Sequence, residues 1–172
     1  EDLGLAEGAY MVQPVDVTVD GQVCSAVSAV VKRFGRIDVL CNIAGIGGKV
    51  GPVEDQPVSD ARTVIEVNLL GTYCMINRVL PVMKAQGEGV ILNTASVDGT
   101  ACYAYEAPYA MSKAGVIHLT QCLANENGNT IRVNCVSPGW VKTPMMDETA
   151  DGFGGMDYQN EGDLVDYGPL GR

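Results

Sequence analysis

The stretches that decide the reading are VILNTAS (Val90–Ser96) and, after a short polar and aromatic loop, YAMSK (Tyr109–Lys113). The first is apolar and β-branched and brings a serine to its C-terminal end, as a buried strand does. Pro108 then opens a helix on which Tyr109 and Lys113 stand one turn apart. Three polar groups can thus point at one spot. A tyrosine with a pKa of about 10 is a poor proton carrier at neutral pH, but an ammonium four residues along favours the phenolate. Lowering that pKa by two or three units would stabilise the charge by roughly 3–4 kcal/mol. With a serine hydroxyl to hold a carbonyl or alcohol oxygen, such a tyrosine can move the proton of a carbonyl/alcohol redox step if a hydride carrier lies alongside.

Around this centre stand Asn42-Ile43-Ala44-Gly45 upstream, Asn68 between, and Ser137-Pro138-Gly139 downstream. A Tyr-x-x-x-Lys alone arises by chance on many helices. In this order and spacing, however, the whole set resembles the short-chain dehydrogenase/reductase family, from about Val15 to Thr143. The resemblance implies an α/β fold, a partial Rossmann-like doubly wound parallel sheet with helices on both faces. It implies NAD or NADP as cofactor and a small-molecule alcohol or ketone as substrate. By the same resemblance Tyr109 is the acid/base, Lys113 lowers its pKa and holds the nicotinamide ribose, Ser96 orients the substrate oxygen, and Asn68 holds a relay water. Asp16 and Val17 would flank the adenine. Asn42, Ala44 and Gly45 would pack beside the adenosine ribose and brace the sheet. The Pro138-Gly139 turn would meet the nicotinamide, with Val141 and Thr143 contacting its carboxamide and the pyrophosphate. Relatives pair the Asn68 and Tyr109 helices across subunits, which implies a homodimer or homotetramer.

Length and charge agree with this. The 172 residues suffice for one domain with a real core. A net charge of −10 argues against a nucleic-acid or anionic-membrane partner, because both require a basic face. No apolar run approaches a membrane span and no basic-then-apolar leader opens the chain, so a cytoplasmic protein is the default expectation. The six cysteines form no Cys-x-x-Cys pair and read as small buried residues. His118 is the single histidine and has no clustered partners, so no metal site is expected.

Along the chain, Tyr10–Val17 reads as a strand disturbed by Pro14. Asp20 should cap a helix whose apolar stripe is Val23, Ala26, Val27, Val30, Val31 and Phe34, stopped by Gly35. Ile37–Cys41 is a buried strand. The glycine-rich loop behind it is not a phosphate loop, since Pro52 follows and no helix opens until about Ser59. Ser59 should cap a long helix through Met83, bent by Pro81. Gly89–Thr94 and Ile131–Val136 are strands, and Pro108 to about Ala124 is the helix between them. The Val97–Ala107 loop, with Tyr103 and Tyr105, either lines a substrate pocket or forms a wet interface. Trp140, Met145 and Met146 suggest an apolar wall. Residues 147–172 mix glycine, acid and tyrosine without periodicity, as in a mobile lid or tail; seven acids and no base lie between Asp147 and Asp166.

The family's opening strand, glycine-rich turn and helix are not legible, and neither is its last strand. The expectation is a single partial domain, residues 1–172, holding the third to sixth strands of a seven-stranded sheet. Met11–Val17 would then pair aberrantly along the fourth strand or lie loosely. Two functions stand open: a nicotinamide-dependent alcohol dehydrogenase or ketoreductase, or a catalytically inactive fragment acting only as a structural or oligomer-forming domain. The segment that normally separates NAD from NADP, after the second strand, is not recognised.

Overall fold

The structure is a computed structural model that describes residues 8–101, 103–141 and 143–145. Seven principal elements follow one another as α1 (Asp20–Phe34), β1 (Val39–Asn42), α2 (Val58–Ile65), α3 (Thr72–Gln86), β2 (Gly89–Thr94), α4 (Ala107–Asn127) and β3 (Ile131–Val136). The strands pair in parallel in the order β1-β2-β3, with Leu40, Ile91 and Val133 in register. Parallel neighbours joined through helices are the Rossmann-like arrangement expected. Both strand spans beyond β1 coincide with the sequence reading.

The core lies on one face of the sheet. Leu40, Ile91, Ile131 and Val133 point into it and meet Val23 and Val27 of α1, Ile76, Val79 and Met83 of α3, and Leu123 of α4. The opposite face shows Val39, Cys41, Arg132 and Asn134 exposed. The second helical layer expected there is thus not supplied by the described residues, whose main helices all bury against the first face.

Local chemistry explains the elements and corrects several expectations. Gly35 ends α1 in the left-handed conformation at φ 81° and donates its N–H to Val31. Asp20 does not cap α1. It is the first helical residue, behind Val19, and instead grips Arg78 of α3 through two hydrogen bonds of 2.7 and 2.5 Å. Ser59 likewise lies inside α2, with Pro57 at the cap position. From Val58 the helix runs on through a π-helical segment, Glu66–Gly71, into α3, which passes Pro81 and reaches Gln86. Tyr10–Val17 is not a strand and does not pair along β1, and Pro14 withholds a ladder donor there. Val15 still packs on the core, and Val17 lies so near Gly71 that a Cβ there would sit 2.6 Å from its Cγ2.

The cysteines also differ from expectation: Cys24, Cys41 and Cys122 are exposed and Cys74 and Cys135 half-buried, all as free thiols. Of these, Cys74 packs against the core from α3. His118 is exposed, and among the described residues no three His, Cys, Asp or Glu side chains are grouped to hold a metal. Among those residues no helix is long and apolar enough to cross a membrane. The expected lid or tail, 147–172, and Met146 lie outside the described residues.

Candidate active site

The C-terminal ends of β2 and β3, with the start of α4, enclose a cavity of about 330 Å³, where parallel α/β sheets place ligands. Backbone hydrogen bonds stitch the two strand ends together past the sheet: Ala95 N–H donates to Val136 (2.8 Å) and Val97 N–H to Pro138 (3.0 Å). Ser96 follows β2 and caps a 3₁₀ turn at Val97–Gly99, accepting from the Asp98 N–H at 3.2 Å and donating to the Asp98 carboxylate at 3.1 Å. The turn fits against α4 because Gly99 has no side chain. A Cβ there would lie 2.9 Å from the Lys113 carbonyl carbon.

Lys113, 4% exposed, donates from Nζ to the Thr94 carbonyl at 2.9 Å and holds its ammonium 5.4 Å from the centre of the Tyr109 ring. The phenol differs from the depressed pKa expected. Burial pushes Tyr109 above the ordinary phenol range, the Ser96 hydroxyl works against this, and Asp98 and Glu106 add to the rise. Burial also lowers Lys113, offset in part by Asp98. Burial leads this rise, while the Lys113 ammonium expected to oppose it is bonded to the Thr94 carbonyl.

Gly45, Ser96, Tyr109, Lys113, Pro138, Gly139, Val141 and Thr143 all line this one cavity, with Trp140 and Met145. The apolar wall expected of those last two is therefore present. Val17, Asn42 and Ala44 line a separate, shallower hollow of about 180 Å³, and Asp16 borders a groove against α2. Asn42 acts chiefly within the core: its amide donates to Asn93 (2.9 Å), and Asn93 donates to Thr120 (2.9 Å). Asn68 is 1% exposed and its side chain is fully engaged. It accepts from the Ile46 N–H and donates to the Ile46 carbonyl and to Ser112. That side chain braces the loop after β1 against α4. Of the loop tyrosines, Tyr103 packs edge-on to Trp140 at 6.4 Å, whereas Tyr105 is exposed.

Sequence reasoning missed Asp98 and Glu106, which also line the cavity. Burial, then Asp98, pushes the Glu106 carboxyl up to about 7, and burial raises Asp98 as well. Their positions two residues after Ser96 and three before Tyr109 were the only signal.

Comparison with known proteins agrees with this geometry. A family model described as enoyl-(acyl carrier protein) reductase matches residues 2–165. Levodione reductase of Leifsonia aquatica is 40% identical over 135 residues, 78% of this chain and 51% of that protein. Trans-4-hydroxycyclohexanecarboxylate dehydrogenase of Sinomonas cyclohexanicum is 41% identical over 152 residues, 88% of this chain and 58% of that protein. The crystal structure of levodione reductase matches with a TM-score of 0.85 at 35% identity, over 92% of this chain and 62% of that one. NAD+-bound xylitol dehydrogenase matches at 0.80 and 32%, over 92% and 65%, and ElxO with NADP bound at 0.81 and 33%, over 92% and 62%. The chain spans about half the length of the curated relatives it matches. Family model, identities and backbone agree, and the chain belongs to the short-chain dehydrogenase/reductase family.

Proposed function

We propose that this chain carries the catalytic part of a nicotinamide-dependent oxidoreductase that interconverts a secondary alcohol and a ketone. The observation that carries the reading is the meeting of Ser96, Tyr109 and Lys113 with the 138–143 turn on one cavity. Its volume of about 330 Å³ is within the usual span of small-molecule sites. The residues present suit the nicotinamide end of such a cofactor. Gly45 leaves open the space beside Lys113, since a Cβ there would lie 3.5 Å from Nζ. Lys113 would hold the ribose, with Pro138, Gly139, Val141 and Thr143 along the ring, carboxamide and pyrophosphate. When bound, the cofactor supplies or accepts the hydride. NAD and NADP both remain candidates, since solved relatives carry either one.

The chain's own residues handle the proton. Ser96 Oγ, fixed between the Asp98 N–H and carboxylate, presents a hydroxyl to the substrate oxygen. Tyr109 Oη gives its proton to a ketone oxygen during reduction and takes it back from an alcohol during oxidation. The raised phenol keeps the proton across neutral pH, the form suited to reduction. Asn68 fixes the loop after β1 and would hold the relay water, and a homodimer or homotetramer in the cytoplasm completes the reading.

The test is titration of the purified chain with NADH and with NADPH by nicotinamide fluorescence, beside Tyr109→Phe and Lys113→Ala. Saturable binding weakened by Lys113→Ala, with ketone reduction abolished in Tyr109→Phe, is the expected result. Absence of binding at millimolar cofactor would leave the motifs without activity in this chain and favour the structural alternative.

A further inference from the structure

Glu106 occupies the cap position of α4 and yet does not cap it. An acid there ordinarily accepts an N–H from the second or third helical residue. Here Pro108 removes one of those donors, and the structure shows no side-chain cap bond. The carboxyl is instead buried, 7% exposed, and lines the catalytic cavity with Oε2 lacking a hydrogen-bond partner among the described residues. Asp98 lines the same cavity and leaves Oδ1 equally unpartnered among the described residues while its other oxygen serves Ser96. A buried carboxylate oxygen without a donor is costly, so an arrangement that keeps two of them is explained by a donor arriving with the ligand.

The loop that aims Glu106 is firmly built. Tyr105 is the one non-glycine residue among those described with positive φ, at 75°. Such a residue requires support from its surroundings. Its carbonyl accepts from the Gly51 N–H (3.0 Å) and from Gln56 Nε2 (2.8 Å), while Gln56 also reaches the Gly51 carbonyl. The 51–56 loop thereby clamps the residue before Glu106.

We infer that Asp98 and Glu106 form a specificity wall that selects substrates carrying a second hydroxyl beside the reacting carbon and rejects those carrying a carboxylate there. The inference rests on the oxidoreductase reading for its reacting carbon, and on the cavity alone for its wall. A neighbouring hydroxyl satisfies an orphaned acceptor, a hydrocarbon leaves it unpaired, and a carboxylate meets two acids at close range. Glu106 and Asp98 are specificity-determining residues. Ser96 and Tyr109 remain the residues that meet the reacting oxygen.

Trp140, the chain's single tryptophan, lines the cavity and reports occupancy without turnover. The full chain is titrated by tryptophan fluorescence with cyclohexane-1,2-diol, cyclohexanol and 2-hydroxycyclohexanecarboxylate. The diol is expected to bind roughly tenfold tighter than cyclohexanol, with the hydroxy acid weakest. Glu106→Leu should bring the diol to the level of cyclohexanol. Glu106→Gln, which keeps the shape and removes the charge, should admit the hydroxy acid. Equal affinity of diol and cyclohexanol, an unsaturable diol titration, or an unchanged profile in Glu106→Gln overturns the wall. Tighter binding of 2-aminocyclohexanol than of the diol also overturns it, in favour of a cationic ligand. Ketone turnover with nicotinamide but without diol preference removes the wall and keeps the oxidoreductase reading; diol preference without cofactor binding supports the wall and removes that reading.

Discussion

Replacing Glu106 by glutamine should make the protein more stable at alkaline pH and change the pH dependence of its unfolding. Burial and the Asp98 charge lift the Glu106 carboxyl from 4.5 to about 7 in the folded chain. The unfolded chain titrates this group near 4.5, so between these values the native state binds the extra proton and stability falls as pH rises. The cost is absent below about pH 4.5 and complete above about pH 7. That interval, at about 1.4 kcal/mol per pH unit, sets a ceiling of roughly 3 kcal/mol, and solvent screening at the cavity mouth reduces the expected figure to about 1–2 kcal/mol. Asp98 faces this group from the 3₁₀ turn and Tyr109 and Lys113 face it from α4, and all three are retained in the variant. Urea unfolding of both proteins at about pH 5 and about pH 8 provides the assay. The difference in midpoint should shift toward the variant at the higher pH. A gap that is the same at both pH values, or that grows in favour of the wild type as pH rises, would refute the argument that a buried, unbonded carboxylate is being ionised at a cost.

Other substitutions probe the frame around the site. Asn93→Ala breaks the buried chain from Asn42 to Thr120 and leaves their polar atoms without this partner, so a loss of about 2–3 kcal/mol by chemical denaturation is expected. Gly99→Ala places a Cβ 2.7 Å from Ile117 Cδ1 and 2.9 Å from the Lys113 carbonyl carbon. It should cost roughly 1–3 kcal/mol and shift Ser96, seen as lost turnover alongside lowered Tm. Asn68→Ala removes three hydrogen bonds from a residue 1% exposed, and faster amide exchange at Ile46 is the expected sign.

Strand β2 was legible from its apolar run Val90–Leu92, β3 from the alternation of Ile131 and Val133 with Arg132 and Asn134, and α4 because Pro108 announces its start. Helix α1 was legible from its apolar stripe, although Phe34 at its end is exposed, with Arg33 over its ring at 5.7 Å. The failures share a physical cause. Tyr10–Val17 has strand composition, but a strand needs a ladder partner that its own sequence does not reveal. Asp20 and Ser59 are good capping residues, yet Asp20 is drawn to Arg78 on a distant helix and Ser59 falls one residue inside its own. Cysteine burial depended on which face of a helix or of the sheet is covered, and composition carries no information on that.

The site separates along the same line. Ser96, Tyr109 and Lys113 were recoverable because one strand end and one helical turn fix their relation locally. The direction of the tyrosine's pKa was not, since it depends on groups that sequence spacing does not rank. Lys113, four residues away, spends its ammonium on the Thr94 carbonyl, whereas burial and two carboxyls from the adjoining loops push the phenol upward. Glu106 stood three residues from Tyr109, where an acid before a helix ordinarily reads as a cap. Only the folded chain shows that Pro108 withholds a donor and that the 51–56 loop locks Tyr105 so that Glu106 turns into the cavity. Breaking that lock tests the connection. Gln56→Ala removes one of two donors holding a left-handed residue, at an expected cost of about 1 kcal/mol. It should also lower the alkaline penalty on Glu106 as the carboxyl gains access to water. An unaltered pH dependence in Gln56→Ala would show that Glu106 is held in the cavity without the clamp.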